Sequence, residues 1–225
     1  MVANATHYDF AQIICNEMAD SAKARGTGIA KRNPDYIVEK MKEGKAVIAF
    51  DANGIWAGFC YVESWSHGQY VANSGLIVAP AFRKYGLAKM IKQRIFELSR
   101  ELYPTAKIFG LTTGLAVMKI NSDLGYEPVT YSELTQDDAF WAGCKSCINF
   151  DILTMKERKN CLCTAMLFDP AEKAKNELAK VDAMVELTSH LEKIVVAEHL
   201  KPQQNKQFRP FWKKGKIKAN RKKVA

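Results

Sequence analysis

The hydrophobic period of the chain changes near residue 45, and this change restricts the possible folds more than any other feature. Apolar residues recur at helical spacing over 8–24, and Asn33-Pro34 predicts the start of a second helix over 35–42. Three segments of strand character then follow without a helix between them: 45–51, 55–63 and 70–78. The chain therefore begins with two helices and continues with three consecutive strands.

Helical and strand patterns alternate over the remainder of the sequence. We predict helices over 86–102, about 115–123 and 171–199, and strands over 106–112 and 126–131. This order, without an internal repeat, predicts an α/β (α+β) fold in which a mixed sheet is flanked by helices. The helix over 171–199 has two interpretations: it covers the chain's own sheet, or it pairs with a second subunit in a homodimer.

The net charge of +9 is concentrated at the end of the chain. Ten of the 33 Lys and Arg residues lie in 201–225, which contains no Asp or Glu, so residues 1–200 are nearly neutral. This composition predicts a disordered basic tail, which either binds a polyanion such as RNA or DNA or is simply solvated. Neither a membrane helix nor a signal peptide is indicated, so we expect a cytoplasmic protein without a membrane partner.

The junction between the third strand and the next helix is the segment with the clearest chemical signature. Pro80 follows the strand, and Arg83, Gly86 and Ala88 form an R-x-x-G-x-A pattern that leads directly into the helix. A turn at a helix N-terminus has unpaired backbone N–H groups and can hold a phosphate. Gly86 allows close approach of the backbone, and Arg83 or Lys84 supplies positive charge. An ordinary strand-to-helix turn is the alternative.

This junction resembles the pyrophosphate loop of the GNAT superfamily of acyl-CoA N-acyltransferases. The order of elements agrees with that fold over about residues 1–131, from a short first strand at Val2-Ala3 to Gly125-Tyr126. The resemblance implies acyl-CoA as co-substrate, with the pantetheine arm paired to the strand backbone at Leu76, Ile77 and Val78. It places the pyrophosphate at the turn and first helical residues: Arg83, Lys84, Tyr85, Gly86, Leu87 and Ala88.

A narrower resemblance is to the N-acylglutamate synthases, which open arginine biosynthesis. Its segments are Gly28-Ile-Ala-Lys-Arg32, Leu111-Thr-Thr113 with Gly125-Tyr-Glu-Pro-Val129, and Phe140-Trp-Ala-Gly-Cys-Lys-Ser146. The resemblance implies that glutamate carboxylates are held by four residues: Lys31, Arg32, Lys145 and Ser146. Fixed cationic donors from separate elements suit a ligand with two carboxylates. An exposed basic pair at a helix start is the alternative for Lys31 and Arg32.

The sequence departs from the GNAT pattern at both proton-transfer positions. The tyrosine that protonates the leaving thiolate in many members has no counterpart, because Ile120 and Asn121 lie nearest to its position. Ala72 occupies the position of the family's base glutamate. We assign Glu63, near the end of the preceding strand, as the substitute base, acting directly or through water. Glu63 as a plain strand-end carboxylate is the alternative.

Six cysteines are too few for a disulfide scaffold in a chain of this length. Cys15 and Cys60 lie in apolar patterns and are interpreted as core thiols. The other four form a C-x-x-C pair and a C-x-C pair and predict one structural zinc ion: Cys144, Cys147, Cys161 and Cys163. Ordinary buried thiols are the alternative.

These observations predict a GNAT domain over 1–169 that includes a cysteine-rich insertion at 144–163, a C-terminal helix over 170–200 and a basic tail over 201–225. The predicted activity is transfer of an acetyl or succinyl group from acyl-CoA to the α-amine of glutamate. Two alternatives stay open. One is a protein or peptide N-acetyltransferase, and the other is a non-catalytic module of this fold that binds nucleic acid through its tail.

Overall fold

The computed structural model describes residues 1–26 and 32–199. The helices are α1 (Ala11–Arg25), α2 (Pro34–Lys42), α3 (Leu87–Leu102), α4 (Leu115–Asp123), α5 (Asp138–Ala142), α6 (Phe150–Met155) and α7 (Pro170–His199). The strands are β1 (Ala46–Phe50), β2 (Trp56–Trp65), β3 (Tyr70–Val78), β4 (Lys107–Thr112), β5 (Glu127–Val129) and β6 (Thr164–Phe168). They form one six-stranded sheet in the order β1-β2-β3-β4-β6-β5.

The sheet is mixed, as the sequence predicts. β1, β2 and β3 are antiparallel neighbours, β3 and β4 are parallel, and β6 is antiparallel to both β4 and β5. The expected first strand at Val2-Ala3 is reduced to one bridge between Val2 and Val47. The short elements α5, α6 and β6 were not predicted, because each is at most six residues long and lies in or next to the cysteine-rich segment.

Two groups of helices cover opposite faces of the sheet. On one face, Ile14 and Met18 of α1 and Ile37 of α2 pack with Ile48 of β1 in one buried cluster. On the other face, α3 packs with Val47 of β1 in a second cluster. Ile48 and Val47 are consecutive, and consecutive strand residues point to opposite faces. The sheet is therefore an internal layer between the two helical groups.

β3 and β4 separate after only three residue pairs. They pair from Tyr70 with Lys107 to Ala72 with Phe109, after which β4 continues along β6. β3 keeps its pairing with β2, but the register shifts at a bulge near Gly75, where φ is +65°. A Cβ at Gly75 would lie 2.5 Å from Cε1 of Tyr61, so glycine is required there for space as well as for conformation. Residues 73–78 of β3 therefore have no strand partner on the side of β4, and an opening separates the two strands there.

The chain divides into two compact units, Met1–Glu177 and Leu178–Ala225. The first contains the whole sheet and the first turns of α7; the second contains the rest of α7 and the basic tail, which lies outside the described residues. The division falls eight residues beyond the predicted boundary at 169/170, which stays a prediction. None of the helices in the described part of the chain is long and apolar enough to cross a membrane.

Candidate active site

The turn between β3 and α3 presents a row of free backbone amides. Lys84 and Gly86 have left-handed conformations, with φ of +71° and +81°. The first amides bonded within α3 are those of Lys89 and Met90, which both donate to the carbonyl oxygen of Gly86 at 3.0 and 3.2 Å. The amides before them in the first turn point out of the helix end, where the helix dipole is positive. This geometry suits an anionic group such as a phosphate.

Arg83 points away from this row of amides. Its Nε donates to the carbonyl oxygen of Val78 at 2.9 Å, and its guanidinium donates to Glu17 Oε1 at 2.8 Å and to Ser21 Oγ at 2.6 Å. These bonds tie the turn to α1. Lys84 and Tyr85 are exposed on the turn, so Lys84 is the predicted cation that is available to a ligand there.

Glu63 is buried within β2 rather than placed at a strand end. The Tyr36 hydroxyl donates to its Oε1, and the Ser74 hydroxyl donates to its Oε2 at 2.5 Å. Glu63 is also the cross-strand partner of Ala72. Since partners in an antiparallel pair project to the same face with Cβ atoms about 5 Å apart, the Glu63 carboxylate lies beside the position where the GNAT resemblance implies a base.

Arg32 completes the polar group around Glu63. Its Nε donates to the Tyr61 hydroxyl, its guanidinium lies 3.9 Å from Glu63 Oε2, and its Cζ lies 5.9 Å from the centre of the Tyr61 ring. Burial lowers the pKa of Arg32, but Tyr61 and Glu63 outweigh this effect and raise it, so the guanidinium stays charged. Burial, followed by the Glu63 carboxylate, raises the pKa of Tyr36 and of Tyr61, so both hydroxyls stay protonated.

The residues predicted to bind glutamate are only partly described. Lys31 lies outside the described residues. Lys145 and Ser146 are exposed in a 3-10 turn over Gly143–Ser146, and Lys145 lines a cavity of about 630 Å³ formed with α5 and α6. Burial and the neighbouring thiols raise the pKa of Cys144, and the Arg32 charge opposes this in part.

The described residues do not support the predicted zinc site. All four cysteines line one cavity of about 30 Å³ together with apolar side chains such as Leu111 and Leu153. However, no three His, Cys, Asp or Glu side chains in the described ranges are arranged to hold a metal ion. Burial, and then the neighbouring thiols, raise the pKa of Cys144 to about 11 and that of Cys163 to about 12. In the metal-free chain these thiols are therefore protonated core groups, and the described residues give no support to the predicted zinc ion.

The two cysteines predicted as core thiols occupy apolar surroundings. Cys60 is fully buried, and Cys15 is half-buried against the cluster formed by α1 and α2. The sequence did not identify Tyr36, Tyr61 or Ser74 as site residues. The sequence did contain one signal for Tyr61. Side chains alternate between the two faces of a strand, so Tyr61 lies on the same face of β2 as Glu63.

No protein-family model and no curated protein matches the sequence, but solved structures match its fold. Rv2747 from Mycobacterium tuberculosis, in complex with CoA and NLQ, has a TM-score of 0.54 at 17% identity over 75% of this chain and 97% of that chain. N-acetylglutamate synthase from Neisseria gonorrhoeae, complexed with coenzyme A and N-acetyl-glutamate, has a TM-score of 0.53 at 12% identity, and the match covers 75% of this chain but 34% of that chain.

A third similar structure is a GNAT superfamily phosphinothricin acetyltransferase from Sinorhizobium meliloti, in complex with AcCoA. It has a TM-score of 0.50 at 12% identity over 72% of this chain and 84% of that chain. These likenesses, together with the strand order and the opening between β3 and β4, show that the chain has the GNAT fold. The predicted fold class is confirmed.

Proposed function

We propose that this protein is an acyl-CoA N-acyltransferase. The observation that carries the proposal is the opening between β3 and β4, which leads along the free edge of β3 to the amide row at the start of α3. An extended ligand with amide groups and a terminal pyrophosphate is complementary to this surface. Acyl-CoA has both features, and GNAT-fold structures with CoA or AcCoA support the same choice.

The open edge of β3 provides the contacts for the acyl donor. Backbone groups of Leu76, Ile77 and Val78 pair with the pantetheine arm as an added strand would, and the turn from Lys84 to Ala88 binds the pyrophosphate. The thioester then lies near residues 73–75, where β3 and β4 separate. Backbone N–H groups at this point polarise the thioester carbonyl and stabilise the oxyanion that forms on attack.

Glu63 is the proposed base. The neutral amine attacks the thioester carbonyl, and its proton passes to Glu63 directly, through Ser74 or through a water molecule. The carbon–sulfur bond then breaks, and the departing thiolate is protonated. An α-amine has a reference pKa of about 8, so a modest base is sufficient. Ser74 is suited to the relay because it lies just beyond the last pair between β3 and β4 and already donates to Glu63.

We propose glutamate as the acceptor and the formation of N-acylglutamate, the opening step of arginine biosynthesis, as the role. Support comes from the charge of Arg32 beside Glu63, from Lys145 and Ser146 on the turn over Gly143–Ser146, and from the fold shared with an N-acetylglutamate synthase. Lys31 completes the proposed set. Acetyl and succinyl donors both suit this role.

A donor and acceptor panel tests the proposal. Purified protein is offered acetyl-CoA or succinyl-CoA with glutamate, glutamine, lysine and a peptide, and thiol release is followed. Glutamate should be the preferred acceptor, because glutamine leaves a cationic donor without its carboxylate. Turnover with the peptide but not with free glutamate would instead identify a peptide N-acetyltransferase, and absence of turnover with every pair would favour a binding module.

Replacement of Arg32 by Ala isolates the acceptor site. A hydrogen bond to a charged group contributes about 1.5–3 kcal/mol, so kcat/KM for glutamate should fall about 10- to 150-fold, while KM for acyl-CoA changes little. Arg94→Ala is the matched control, because Arg94 lies on the surface of α3 and pairs with Glu97 and Glu101. Equal kcat/KM for glutamate in the two variants would contradict the assignment of Arg32.

A further inference from the structure

A lysine is buried without a carboxylate partner on the face of the sheet that α3 covers. Lys92 is 2% exposed, and no Asp or Glu of the described ranges lies within ion-pair distance of it. Its Nζ donates to Asn73 Oδ1 at 3.1 Å and lies 5.1 Å from the centre of the Tyr126 ring. Burial of an ammonium group is costly, so a lysine in this position needs an explanation.

Hydrogen bonds fix the orientation of the side chain that Lys92 contacts. Asn73 Oδ1 also accepts from the Tyr126 hydroxyl at 3.0 Å, and Asn73 Nδ2 donates to Ser99 Oγ at 2.7 Å. Ser99 in turn donates to the carbonyl oxygen of Ile95 on its own helix. Both ends of the Asn73 amide are therefore engaged, and the Lys92 ammonium is held at a defined point beside β3.

That point is where β3 and β4 separate. Asn73 is the first residue of β3 after the last pair with β4, which joins Ala72 to Phe109. Asn73 and Ser74 project to opposite faces of the sheet, so Ser74 reaches Glu63 while Asn73 reaches Lys92. At the point where the two strands separate, the Glu63 carboxylate therefore lies on one face of the sheet and the Lys92 amine on the other.

Resting on the proposed function, we propose that Lys92 supplies the proton that the departing CoA thiolate takes up, and that Asn73 and Tyr126 position its ammonium group. When the carbon–sulfur bond breaks, its electron pair stays on sulfur, and a proton moves from Nζ to that sulfur to give the free thiol. Lys92 becomes a neutral amine and regains a proton from water before the next turnover. The proton of the attacking amine leaves separately, through Glu63. Lys92 would thereby replace the tyrosine that protonates the thiolate in many GNAT enzymes. This chain has no tyrosine at that position on α4, where Asn121 is buried against Met166.

Among the titratable groups around Asn73, Lys92 is the one whose pKa suits it to donate a proton near pH 8. Burial lowers the pKa of Lys92 to about 8, so its ammonium group is more acidic than that of an ordinary lysine. From β2, Cys60 has a pKa that burial raises to about 11, and burial also raises the pKa of Tyr126, which precedes β5. Both groups are neutral near pH 8. A catalytic acid is most efficient when its pKa lies near the operating pH, and Lys92 alone meets this condition within the network described here.

Replacement of Lys92 by Met tests the proposal, because methionine fills much of the same space without the ammonium. With acetyl-CoA, kcat should fall about 10²- to 10⁴-fold. The decrease of kcat above about pH 8, which reports loss of the Lys92 proton in the native protein, should disappear. Lys107→Met is the matched control, because Lys107 pairs with Asp169 at the opposite end of β4 and should retain the native profile.

A second acyl donor separates proton donation from a structural role. An acetyl thioester of an aromatic thiol releases a more acidic thiol that leaves without protonation, so Lys92→Met should lose less than about tenfold of the native rate with it. Equal losses with the two donors, or an unchanged profile with acetyl-CoA, would overturn the proposal for Lys92 while leaving acyl transfer intact. No turnover by the native protein with either donor would overturn acyl transfer itself.

The native protein provides the same test if Lys92→Met does not fold. Its kcat should decrease above about pH 8 with acetyl-CoA but not with the aromatic thioester, since only the first donor requires the proton. The same decrease with both donors would refute proton donation by Lys92. Urea unfolding and CoA calorimetry on Lys92→Met and Lys107→Met show whether each variant is folded and binds the donor.

Discussion

Replacement of Gly86 by Val tests the donor site most directly. Gly86 has a φ of +81°, and a Cβ built there meets no atom within 4 Å, so valine has space in the protein itself. Its cost to folding is therefore backbone strain, about 1–3 kcal/mol for a side chain in this region. In the complex, the same branched side chain would stand in front of the amides that hold the pyrophosphate.

The expected loss of affinity follows from those amides. Each hydrogen bond to a charged group contributes about 1.5–3 kcal/mol, so loss of one bond raises the Kd for CoA about 10- to 150-fold. Gly54→Val is the matched control. Gly54 has a φ of +79° and open space in the β1–β2 turn, so it should lose a similar free energy of unfolding without a change in CoA affinity.

Isothermal titration calorimetry with CoA and urea unfolding together decide the outcome. The reasoning predicts that both variants are destabilised to a similar extent and that only Gly86→Val binds CoA weakly. If folded Gly86→Val binds CoA with native affinity, the turn does not hold the pyrophosphate, and the assignment of the donor site is refuted.

Three further predictions concern other parts of the chain. Glu63→Gln should keep CoA affinity but lower kcat about 10²- to 10⁴-fold, and a loss of only a few-fold in a rapid-mixing assay would exclude Glu63 as the base. At pH 8 the raised pKa values should slow alkylation by iodoacetamide about a hundredfold at Cys144 and about a thousandfold at Cys163 relative to the urea-unfolded chain, and both rates should increase with pH. Equal rates in the two states, measured by peptide mass spectrometry, would contradict this. A chain that ends at Leu200 should keep its turnover and lose any salt-dependent binding to RNA, whereas loss of turnover in a folded truncated protein would make the tail part of the active site.

Features set by neighbouring residues were predictable from the sequence. The strand over 70–78 and the helix over 115–123 occur at the predicted bounds, and α7 differs from its prediction by one residue. The turn before α3 was also predictable, because Pro80, Gly86 and the following helical period act on adjacent backbone. Glu63 was assigned only as a substitute for the base that the GNAT pattern lacks at Ala72, and its burial and its partners were not predictable.

Features that depend on distant pairing were decided only by the tertiary structure. β6 lies between β4 and β5, and the opening at residue 73 exists because β4 leaves β3 to pair with β6. Arg83 was predicted to supply charge to a phosphate, but α1 presents Glu17 and Ser21 to it, more than 60 positions away in sequence. In the sequence, Lys92 is indistinguishable from the other polar residues of an amphipathic helix. Only the packing of α3 on the sheet shows that it is buried beside Asn73. Local sequence specifies backbone conformation over a few residues, whereas the partner and the burial of a charged side chain are set by which distant segments the fold brings beside it.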